Sequence, residues 1–212
     1  MATIEQVYVD EVYSSISEHF ADTRFCVWDF VKSFLDSKDD TTKGIDIGCG
    51  NGKNMRYNTK LILDGFDNCS NFVEICQKNA LNVKLGNCLC LPCHPNIYDY
   101  AMSIAVYHHM ATHEHRLTAI GEMIRTLKSR GHGIFSVWSV ENQANEKIKR
   151  NFKKGDNYVK WMRKRDGKVF QRYYYVFSKD MVEELMNNFM EQIYNLKIYN
   201  EHGNWVVEFS KK

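Results

Sequence analysis

The sequence predicts an α/β domain in which a mostly parallel, seven-stranded sheet carries helices on both faces. Three observations support this class. Short apolar strands alternate with amphipathic helical segments through the middle of the chain. A glycine-rich turn follows the first of these strands, at residues 48–52. Two closing strand-like segments surround Glu201-His202-Gly203, which predicts an antiparallel last strand at one edge of the sheet.

The first elements are identified by the spacing of their apolar residues. Apolar side chains recur at helical spacing over 4–20 and again over 25–35, where Phe25, Trp28, Val31, Phe34 and Leu35 share one face. Residues 44–47 form a short apolar strand that enters the glycine turn, and a further helix is expected after that turn. The next elements are a strand over 61–66, a helix over 70–80 and a short strand over 83–85.

The second half of the chain repeats this alternation. Residues 98–106 predict a buried strand, 114–128 a helix and 131–140 another apolar strand. After a basic segment, 179–188 has helical spacing, and 191–199 and 204–209 predict the closing pair of strands. We therefore expect a single domain over 1–212, with an N-terminal helical cap over 1–40 and a basic, aromatic insertion over 141–175.

Composition limits the class of protein. The chain has 212 residues, of which 44% are hydrophobic and 25% charged, as in an ordinary globular domain. No stretch approaches the roughly 20 apolar residues that a membrane-spanning helix needs. The N-terminus has neither the basic nor the apolar part of a secretion signal. The seven cysteines are therefore expected to be reduced thiols in the cytoplasm or the nucleus.

The basic residues are concentrated in one segment. The net charge of the chain is +2, but residues 147–172 hold eleven basic side chains and two acidic ones. Aromatic side chains interrupt this run, among them Phe152, Tyr158, Trp161 and Phe170. Cations neutralise phosphates and rings stack on unpaired bases, so the composition suits RNA. A solvated surface insertion with a few docked rings is the alternative.

The glycine turn Ile45-Asp46-Ile47-Gly48-Cys49-Gly50-Asn51-Gly52 indicates the ligand class. A dinucleotide turn needs glycine at its sixth position, where this chain has Lys53, and no phosphate loop is present. The spacing resembles the Asp-x-Gly-x-Gly turn that binds S-adenosyl-L-methionine in class I, Rossmann-like methyltransferases. Asp46, Gly48 and Gly50 are therefore predicted to bind that cofactor. Asp67, at the end of the next strand, can accept hydrogen bonds from ribose hydroxyls.

Other predicted cofactor residues follow the neighbouring strands. Asn68 is adjacent to Asp67, and Asn87 and Cys88 follow the third strand, where the adenine ring usually lies in this fold. Ala105 is in the segment that ends the fourth strand. Cys88-x-Cys90-x-x-Cys93-His94 also permits a zinc interpretation, but a second pair of ligands is missing, and we predict no metal.

The end of the fourth strand carries Tyr107-His108-His109, at the expected mouth of the cofactor cleft. Either histidine could line a pocket for the methyl acceptor, or both could be structural. The segment lacks the Asn/Asp-Pro-Pro-aromatic turn of methylases that act on exocyclic amines of bases. It therefore disfavours adenine-N6 or cytosine-N4 methylation.

Several segments resemble one family, the eukaryotic tRNA wobble-uridine carboxymethyl methyltransferases. Residues 12–24 (VYSSISEHFADTR) are similar to its N-terminal signature, V-Y-x-x-I-x-x-H-F-x-x-T-R. Residues 45–53 (IDIGCGNGK), 98–109 (YDYAMSIAVYHH) and 204–207 (NWVV) resemble its cofactor turn, fourth strand and C-terminal strand. Two features depart from the family: Asn87 replaces an acidic residue in the adenine loop, and the insertion after the fifth strand is short.

The resemblance implies methyl transfer from S-adenosyl-L-methionine to the carboxylate of 5-carboxymethyluridine in a tRNA anticodon. Arg24 is our candidate to orient that carboxylate, because its planar fork can form two bonds to it. His108 or His109 would position the uracil, with His108 as the preferred residue. Tyr13, Trp138 and Trp205 are candidates to stack on it.

The resemblance also implies a partner, a small zinc-binding activator subunit. It would pair with the sheet edge at 81–86, with Leu89, Leu91 and Ile97 nearby. Two other functions remain open from the residues alone: a small-molecule class I methyltransferase, and a non-catalytic RNA-binding subunit that has kept the fold. The intact Asp46, Gly48, Gly50 and Asp67 count against the second.

Overall fold

The structure is a computed structural model that describes residues 2–141, 144–145, 148–149 and 151–212. Its strands are β1 (Lys43–Ile47), β2 (Ile62–Asp67), β3 (Val83–Leu85), β4 (Tyr98–Ile104), β5 (Leu127–Trp138), β6 (Ala144–Asn145), β7 (Ile148–Lys149), β8 (Gly155–Met162), β9 (Val169–Val176), β10 (Ile193–Glu201) and β11 (Asn204–Lys211). Its α-helices are α1 (Glu11–Ala21), α2 (Asp29–Asp36), α3 (Ser70–Lys78), α4 (His113–Thr126) and α5 (Lys179–Asn187).

Seven strands form the central sheet in the order β10-β11-β5-β4-β1-β2-β3. Strands β1 to β5 pair in parallel with their neighbours, whereas β11 runs antiparallel to both β5 and β10. Strand β1 lies between β2 and β4, so the chain reverses its direction of strand addition there. In open α/β sheets ligands bind at this reversal, beyond the carboxyl ends of the strands. The predicted fold class is confirmed.

Helices cover both faces of the sheet because neighbouring strand residues point to opposite sides. One core packs α4 and α5 against the sheet, with Met123 and Leu185 among its buried residues. The other packs α2 and α3 against the opposite face, with Leu35 and Cys76 among its buried residues. Strand β4 contributes Ala101 to the first core and neighbouring residues to the second. Within the described part of the chain no helix is long and apolar enough to cross a membrane.

The N-terminal cap and a β-hairpin lie against each other at the carboxyl ends of the strands. The cap begins with a π-helical turn over Gln6–Asp10 and continues into α1. The hairpin pairs β8 with β9 and contains most of the described part of the basic segment. Tyr8 meets Tyr158 at 4.9 Å between ring centroids, and the guanidinium of Arg163 donates to the carbonyl of Ser15 at 2.8 Å.

Three expectations need correction or extension. The helix expected after the glycine turn is absent from the described structure, where 51–57 forms consecutive turns because glycine and asparagine are poor helix formers. Phe25 lies outside α2 and is 71% exposed, because the chain enters that helix only at Asp29. The basic insertion forms a hairpin that we did not predict, and Lys147 and Arg150 lie outside the described residues.

Candidate active site

A cavity of about 260 Å³ lies at the carboxyl ends of β1, β2 and β4, beneath the N-terminal cap. Nine of the eleven predicted site residues line it. They are Tyr13, Arg24, Gly48, Gly50, Asp67, Asn68, Asn87, Cys88 and Ala105. Asp46 and His108 are not among the lining residues. The N-terminal signature and the glycine turn, two separate sequence motifs, therefore meet at one site.

The glycine turn passes close to its surroundings on one side and is open on the other. Gly48 has a φ of +72°, and a Cβ on it would lie 2.5 Å from Cγ2 of Val106. Gly50 has a φ of +55°, and a Cβ there would meet no described atom within 4 Å. Glycine is needed at both positions because other residues rarely adopt this conformation. The open side of Gly50 leaves room for a ligand to approach the backbone.

Asp67 ties the turn to the end of β2. One carboxylate oxygen accepts from the backbone N–H of Gly50 at 2.7 Å, and the other accepts from the N–H of Cys69 at 2.9 Å. Burial raises the pKa of Asp67 to about 6, and these two bonds oppose the shift. A carboxylate oxygen has more than one acceptor site, so Asp67 can still receive hydroxyl groups from the cavity.

Asp46 lies inside the domain and is not among the residues that line the cavity, so its contact with the cofactor stays a prediction. It is within β1, one residue before the strand ends, and its side chain is fully buried. Neither carboxylate oxygen has a hydrogen-bond partner among the described residues. Burial, with a smaller effect from the charge of Asp67, raises its pKa to about 7, while the charge of Lys53 and a contact with Asn54 oppose the shift. An unsatisfied buried acid beneath a ligand turn favours a cationic ligand nearby.

Asp46→Asn should remove a pH dependence of stability. The pKa of Asp46 in the folded state, about 7, is above its unfolded value, so at pH values between these two the folded state binds the proton more tightly. The contribution of Asp46 to the free energy of unfolding therefore falls as pH rises from about 4 to about 7. In urea unfolding, the free energy of unfolding of D46N should rise relative to that of the wild type across that range, by a few kcal/mol in total. A constant difference between the two proteins would contradict the shifted pKa.

The cavity residues fit S-adenosyl-L-methionine. Asp67 offers acceptors to ribose hydroxyls, Gly50 leaves space beside the backbone, and the orphaned carboxyl group of Asp46 favours positive charge nearby. Asn87 and Cys88 would border the adenine ring. The thiol of Cys88 is buried, lies 3.9 Å from Sδ of Met110 and has its pKa raised to about 12 by burial, so it stays protonated.

The zinc alternative gains no support from the cysteines near Cys88. Cys88 is buried and Cys90 is exposed, so the two thiols lie in different environments. Among the described residues no three histidine, cysteine or acidic side chains are grouped closely enough to hold a metal ion.

Asparagine side chains fasten the N-terminal cap over the cavity, among them Asn51 and Asn68. The side-chain amide of Asn51, in the glycine turn, donates to the carbonyls of Ala21 at 3.2 Å and Arg24 at 2.9 Å. The amide of Asn68 donates to Asp10 at 3.1 Å. Asn51 therefore fixes the backbone that carries Arg24 relative to the cofactor turn.

Ala105 marks a strained point on the wall. Its φ is +62°, a left-handed conformation that is unfavourable for a residue with a side chain. Its N–H is held by the carbonyl and hydroxyl oxygens of Ser136, at 3.0 and 3.1 Å. This conformation turns the chain sharply out of β4, and a 3₁₀ turn over Tyr107–His109 follows.

That turn brings His109, and not His108, to the cavity wall. His108 is 1% exposed, and its Nδ1 accepts from the backbone N–H of Trp138 at 3.2 Å. The preference for His108 as the substrate-facing residue is therefore corrected in position. Consecutive residues of a 3₁₀ turn point in directions about 120° apart, so only one of the two rings can face the cavity.

His109 ends a directional chain of hydrogen bonds. Its Nδ1 donates to the carbonyl of Tyr173 at 2.9 Å, and burial lowers its pKa to about 4, so the ring is neutral near pH 7. Nε2 must then accept, and Tyr13 donates its hydroxyl proton to it at 3.1 Å. The oxygen of Tyr13 is 3.2 Å from the hydroxyl of Tyr174, which accepts from Arg172 at 2.6 Å. The chain fixes Tyr13 and His109 together.

Arg24 is exposed at the cavity wall with its guanidinium over two aromatic rings. The guanidinium carbon lies 5.0 Å from the ring centroid of Phe20 and 5.7 Å from that of Trp161. The guanidinium forms hydrogen bonds with described groups only at Thr23, and these are long, at 3.3 and 3.5 Å. No carboxylate of the described chain forms an ion pair with it. Arg24 is thus a cation available to an anionic ligand.

Two other candidate rings are structural. Trp138 stacks on Tyr174 at 3.9 Å and on Phe152 at 5.1 Å between centroids. Trp205 is buried, and its indole N–H donates to Glu141 at 3.0 Å. Neither lines the cavity, because both belong to strands whose ends are covered by the hairpin and neighbouring loops, whereas Tyr13 projects from the cap.

Sequence reasoning missed some lining residues. Asn51 and Lys53 belong to the glycine turn itself and could have been included with it. Asp10 ends the π-helical turn that continues into α1 and is three residues before Tyr13, a spacing that places both on one face. Phe72 and Met110 carry no signal beyond apolar character.

Comparisons with known proteins agree with this geometry. Residues 45–135 match a model of the methyltransferase domain. The tRNA (carboxymethyluridine(34)-5-O)-methyltransferase of Schizosaccharomyces pombe is 34% identical over 200 residues, which cover 86% of this chain and 87% of that protein. The chain belongs to this family. The relative of the same name in Xenopus tropicalis is 37% identical over 67% of this chain, but the match spans only 23% of that longer protein.

Solved structures of methyltransferases share the fold. A SAM-dependent methyltransferase of Methanosarcina mazei aligns with a TM-score of 0.67 at 16% identity, over 87% of this chain and 98% of that one. A methyltransferase of Haloferax volcanii, solved in complex with the Trm112 methyltransferase activator, aligns with a TM-score of 0.63 at 12% identity, over 96% and 98% of the two chains. The predicted enzyme class and methyl donor are confirmed: this is an S-adenosyl-L-methionine-dependent methyltransferase.

Proposed function

We propose that this methyltransferase esterifies the carboxylate of 5-carboxymethyluridine at the wobble position of tRNA, giving the methyl ester. The observation that carries the proposal is the position of Arg24, a cation at the wall of the cofactor cavity that has no acidic partner among the described residues. The S. pombe relative, which this chain matches over 87% of its length, bears that activity in its name. An anionic acceptor would supply the negative partner that the guanidinium of Arg24 lacks.

The chain's residues need only bind and orient the acceptor. S-adenosyl-L-methionine, when bound, supplies an electrophilic methyl group on a sulfonium. A carboxylate is ionised at pH 7, so no general base is required. Neutral His109 accordingly has no proton to remove, and it holds Tyr13 in place. Phe20 and Phe72 line the cavity and exclude water. Alignment of two reactants in this way can contribute about 7–11 kcal/mol.

The basic face of the hairpin is proposed to bind the tRNA backbone. Its exposed cations include Lys153, Lys160, Lys164 and Arg165. Lys160 lies on β8, whose neighbouring residue Trp161 packs on Phe20 of the cap at 5.7 Å. A polyanion bound along the hairpin would therefore pass beside the cavity mouth.

Replacing four of these cations should reduce the salt dependence of tRNA binding. Each phosphate contact that is lost lowers the slope of log K against log salt by about one. The quadruple glutamine variant should therefore lose most of the slope contributed by the hairpin, in filter-binding titrations at several salt concentrations. The matched control replaces four exposed lysines elsewhere, Lys60, Lys78, Lys179 and Lys212. Equal slopes for the two variants would show that the charges of the hairpin are only solvated and do not contact tRNA phosphates.

A second proposed partner is a small zinc-binding activator subunit at the β3 edge. β3 is the outermost strand on its side of the sheet, and Leu85 on it is 57% exposed. Of the nearby apolar residues Leu91 is buried in the core, which leaves Leu81, Leu85, Leu89 and Ile97 for a partner. Unpaired edge strands need a cover. The Haloferax volcanii methyltransferase of similar fold is bound to the Trm112 methyltransferase activator.

Leu85→Lys should prevent the two subunits from co-purifying while leaving the isolated chain folded. A charge on an edge strand opposes strand pairing with a partner, and an exposed leucine contributes little to the chain's own core. Co-expression followed by size exclusion measures the effect, with Lys84→Glu as a control at the neighbouring exposed position. Co-elution of L85K at the wild-type ratio would place the activator elsewhere.

A reducing compartment, the cytoplasm with the nucleus as the alternative, is the proposed location. All seven cysteines are free thiols, including the buried Cys49, Cys69 and Cys76. Free thiols in this number suit an environment that keeps them reduced.

The acceptor is tested by comparing three substrates. The chain, with the proposed activator, is given S-adenosyl-L-methionine and tRNA that carries 5-carboxymethyluridine, tRNA with unmodified uridine, or the free nucleoside. We expect ester formation only with the first. Efficient methylation of the free nucleoside would favour a small-molecule methyltransferase, and donor binding without transfer would favour a non-catalytic RNA-binding subunit.

A further inference from the structure

Arg172 is a buried cation without a counter-charge. It lies on β9 with 6% of its surface exposed, and no acidic side chain of the described chain forms an ion pair with it. Buried arginines are almost always paired, because an isolated charge loses its hydration and gains nothing in return. The fold therefore retains Arg172 at an energetic cost that its own contacts do not offset.

The groups around Arg172 are neutral. Its Nη1 donates to the hydroxyl of Tyr174 at 2.6 Å, and its guanidinium carbon lies 4.7 Å from the ring centroid of Trp161 and 5.2 Å from that of Tyr174. Its Nε has no hydrogen-bond partner among the described residues and is buried. These contacts orient the guanidinium, but they leave its charge uncompensated.

A second acid-free arginine shares one of these rings. The guanidinium carbon of Arg24 lies 5.7 Å from the Trp161 centroid, so both cations lie within 6 Å of a single indole. The indole N–H of Trp161 and both ring nitrogens of the adjacent His19 are also buried without described partners. Unsatisfied polar atoms of this kind call for a ligand or water.

The acids of this region are engaged elsewhere. Asp166 in the hairpin loop pairs with Arg163, and Glu18 of α1 is 82% exposed and pairs with Arg165. Asp156 accepts from the hydroxyl of Tyr173 at 2.6 Å. Among the described residues of this seam, Arg163 and Arg165 therefore have acidic partners, whereas Arg24 and Arg172 have none.

We propose that Arg24, Trp161 and Arg172 form the subsite that binds the carboxylate of the acceptor nucleoside. This inference rests on the proposed function and extends it. The hairpin does not merely hold the tRNA backbone: Trp161 and Arg172 do not line the cavity, but they lie directly behind Arg24 and favour a base that carries a negative charge. Arg24 makes the direct contact at the cavity, and Arg172 supplies the second positive charge behind it.

The same anion chemistry could serve a phosphodiester of the bound tRNA. The two sources differ in one respect that can be measured. A carboxylate on the base is lost when 5-carboxymethyluridine is replaced by its neutral isostere, 5-carbamoylmethyluridine, whereas every phosphate is kept. The ratio of the affinities for these two tRNAs therefore reports the base carboxylate alone.

The test measures both affinities for the wild type and for Arg172→Met, in the presence of S-adenosyl-homocysteine. We expect the wild type to prefer the charged tRNA by about tenfold or more, the value of a charge-assisted hydrogen bond. R172M should reduce this preference severalfold without abolishing it, because Arg24 keeps its direct contact at the cavity. Methionine suits a site bordered by aromatic rings, and removal of an unpaired buried charge is often neutral or stabilising, so the melting temperature should not fall.

Two controls keep the result interpretable. Lys160→Met removes an exposed cation from the same hairpin and should weaken the binding of both tRNAs equally. Arg172→Gln, which can still donate to Tyr174, replaces R172M if that variant does not fold, and the same loss of preference is expected. If Arg172 were purely structural, its replacement would instead lower the melting temperature and weaken the binding of both tRNAs by the same factor.

The possible failures are distinguishable. A wild type that forms ester while R172M and R172Q keep its preference for the charged tRNA would overturn the carboxylate subsite alone. Equal loss for both tRNAs would assign Arg172 to a phosphate, which also overturns it. A wild type that neither prefers the charged tRNA nor esterifies it would overturn the proposed function itself.

Discussion

Arg24→Gln is expected to lower kcat/KM for ester formation by at least about hundredfold, while the affinity for S-adenosyl-L-methionine changes by less than about twofold. The reason is geometric. The guanidinium stands over Phe20 and Trp161 at the cavity wall, its backbone carbonyl is held by Asn51, and no described acid neutralises it. Glutamine keeps a polar side chain but loses the charge and the planar fork that can form two bonds to a carboxylate.

Two variants qualify this result. Arg24→Lys keeps the charge without the fork, so its kcat/KM should lie between those of the wild type and R24Q. Arg130→Gln removes an exposed arginine outside the cavity and should change neither parameter. Steady-state kinetics with modified tRNA and calorimetry with the donor measure the two quantities separately. Loss of donor affinity in R24Q would show that Arg24 supports the cofactor and not the acceptor.

Asp67→Ala is expected to have the opposite signature, with donor affinity reduced by about hundredfold or more. Asp67 performs two tasks in the structure. It holds the glycine turn through the N–H of Gly50 at 2.7 Å, and it faces the cavity where a ribose would lie. Alanine removes the ribose acceptor and leaves the two backbone donors of the turn without their partner.

Calorimetry with S-adenosyl-L-methionine measures this loss, and thermal unfolding without the donor shows whether the turn alone is affected. Asp40→Ala, at an exposed acid outside the cavity, is the matched control and should bind the donor normally. Saturating donor should restore much of the activity of D67A, because the acceptor site is intact. Wild-type donor affinity in D67A would remove Asp67 from the cofactor site.

The parts of the site that could be predicted are those encoded over a few residues. The turn from Gly48 to Gly52 requires positive φ angles that glycine adopts readily, and Asp67 follows from the position of the next strand end. Arg24 was found by its place in a family signature and not by any local pattern. The structure explains that place, because Asn51 of the turn binds the backbone of Arg24 directly.

The parts that could not be predicted depend on contacts between distant segments. The choice between His108 and His109 depends on the left-handed Ala105 and the 3₁₀ turn that follows it, neither of which the sequence pattern reveals. The hairpin packs its rings on the cap, as Trp161 does on Phe20, a contact between distant segments that the alternation of aromatic and basic residues does not reveal. Arg172 was counted there as a surface charge, but it is buried.

The most direct test of the account is mass spectrometry of the wobble nucleoside. Transfer RNA that carries 5-carboxymethyluridine is incubated with the purified chain, its presumed activator and S-adenosyl-L-methionine with a deuterated methyl group. We predict that the labelled methyl appears as the ester of that nucleoside and is removed by mild alkali, and that R24Q forms almost none. A labelled methyl on a ring atom or a ribose, or no label on the tRNA at all, would contradict the account.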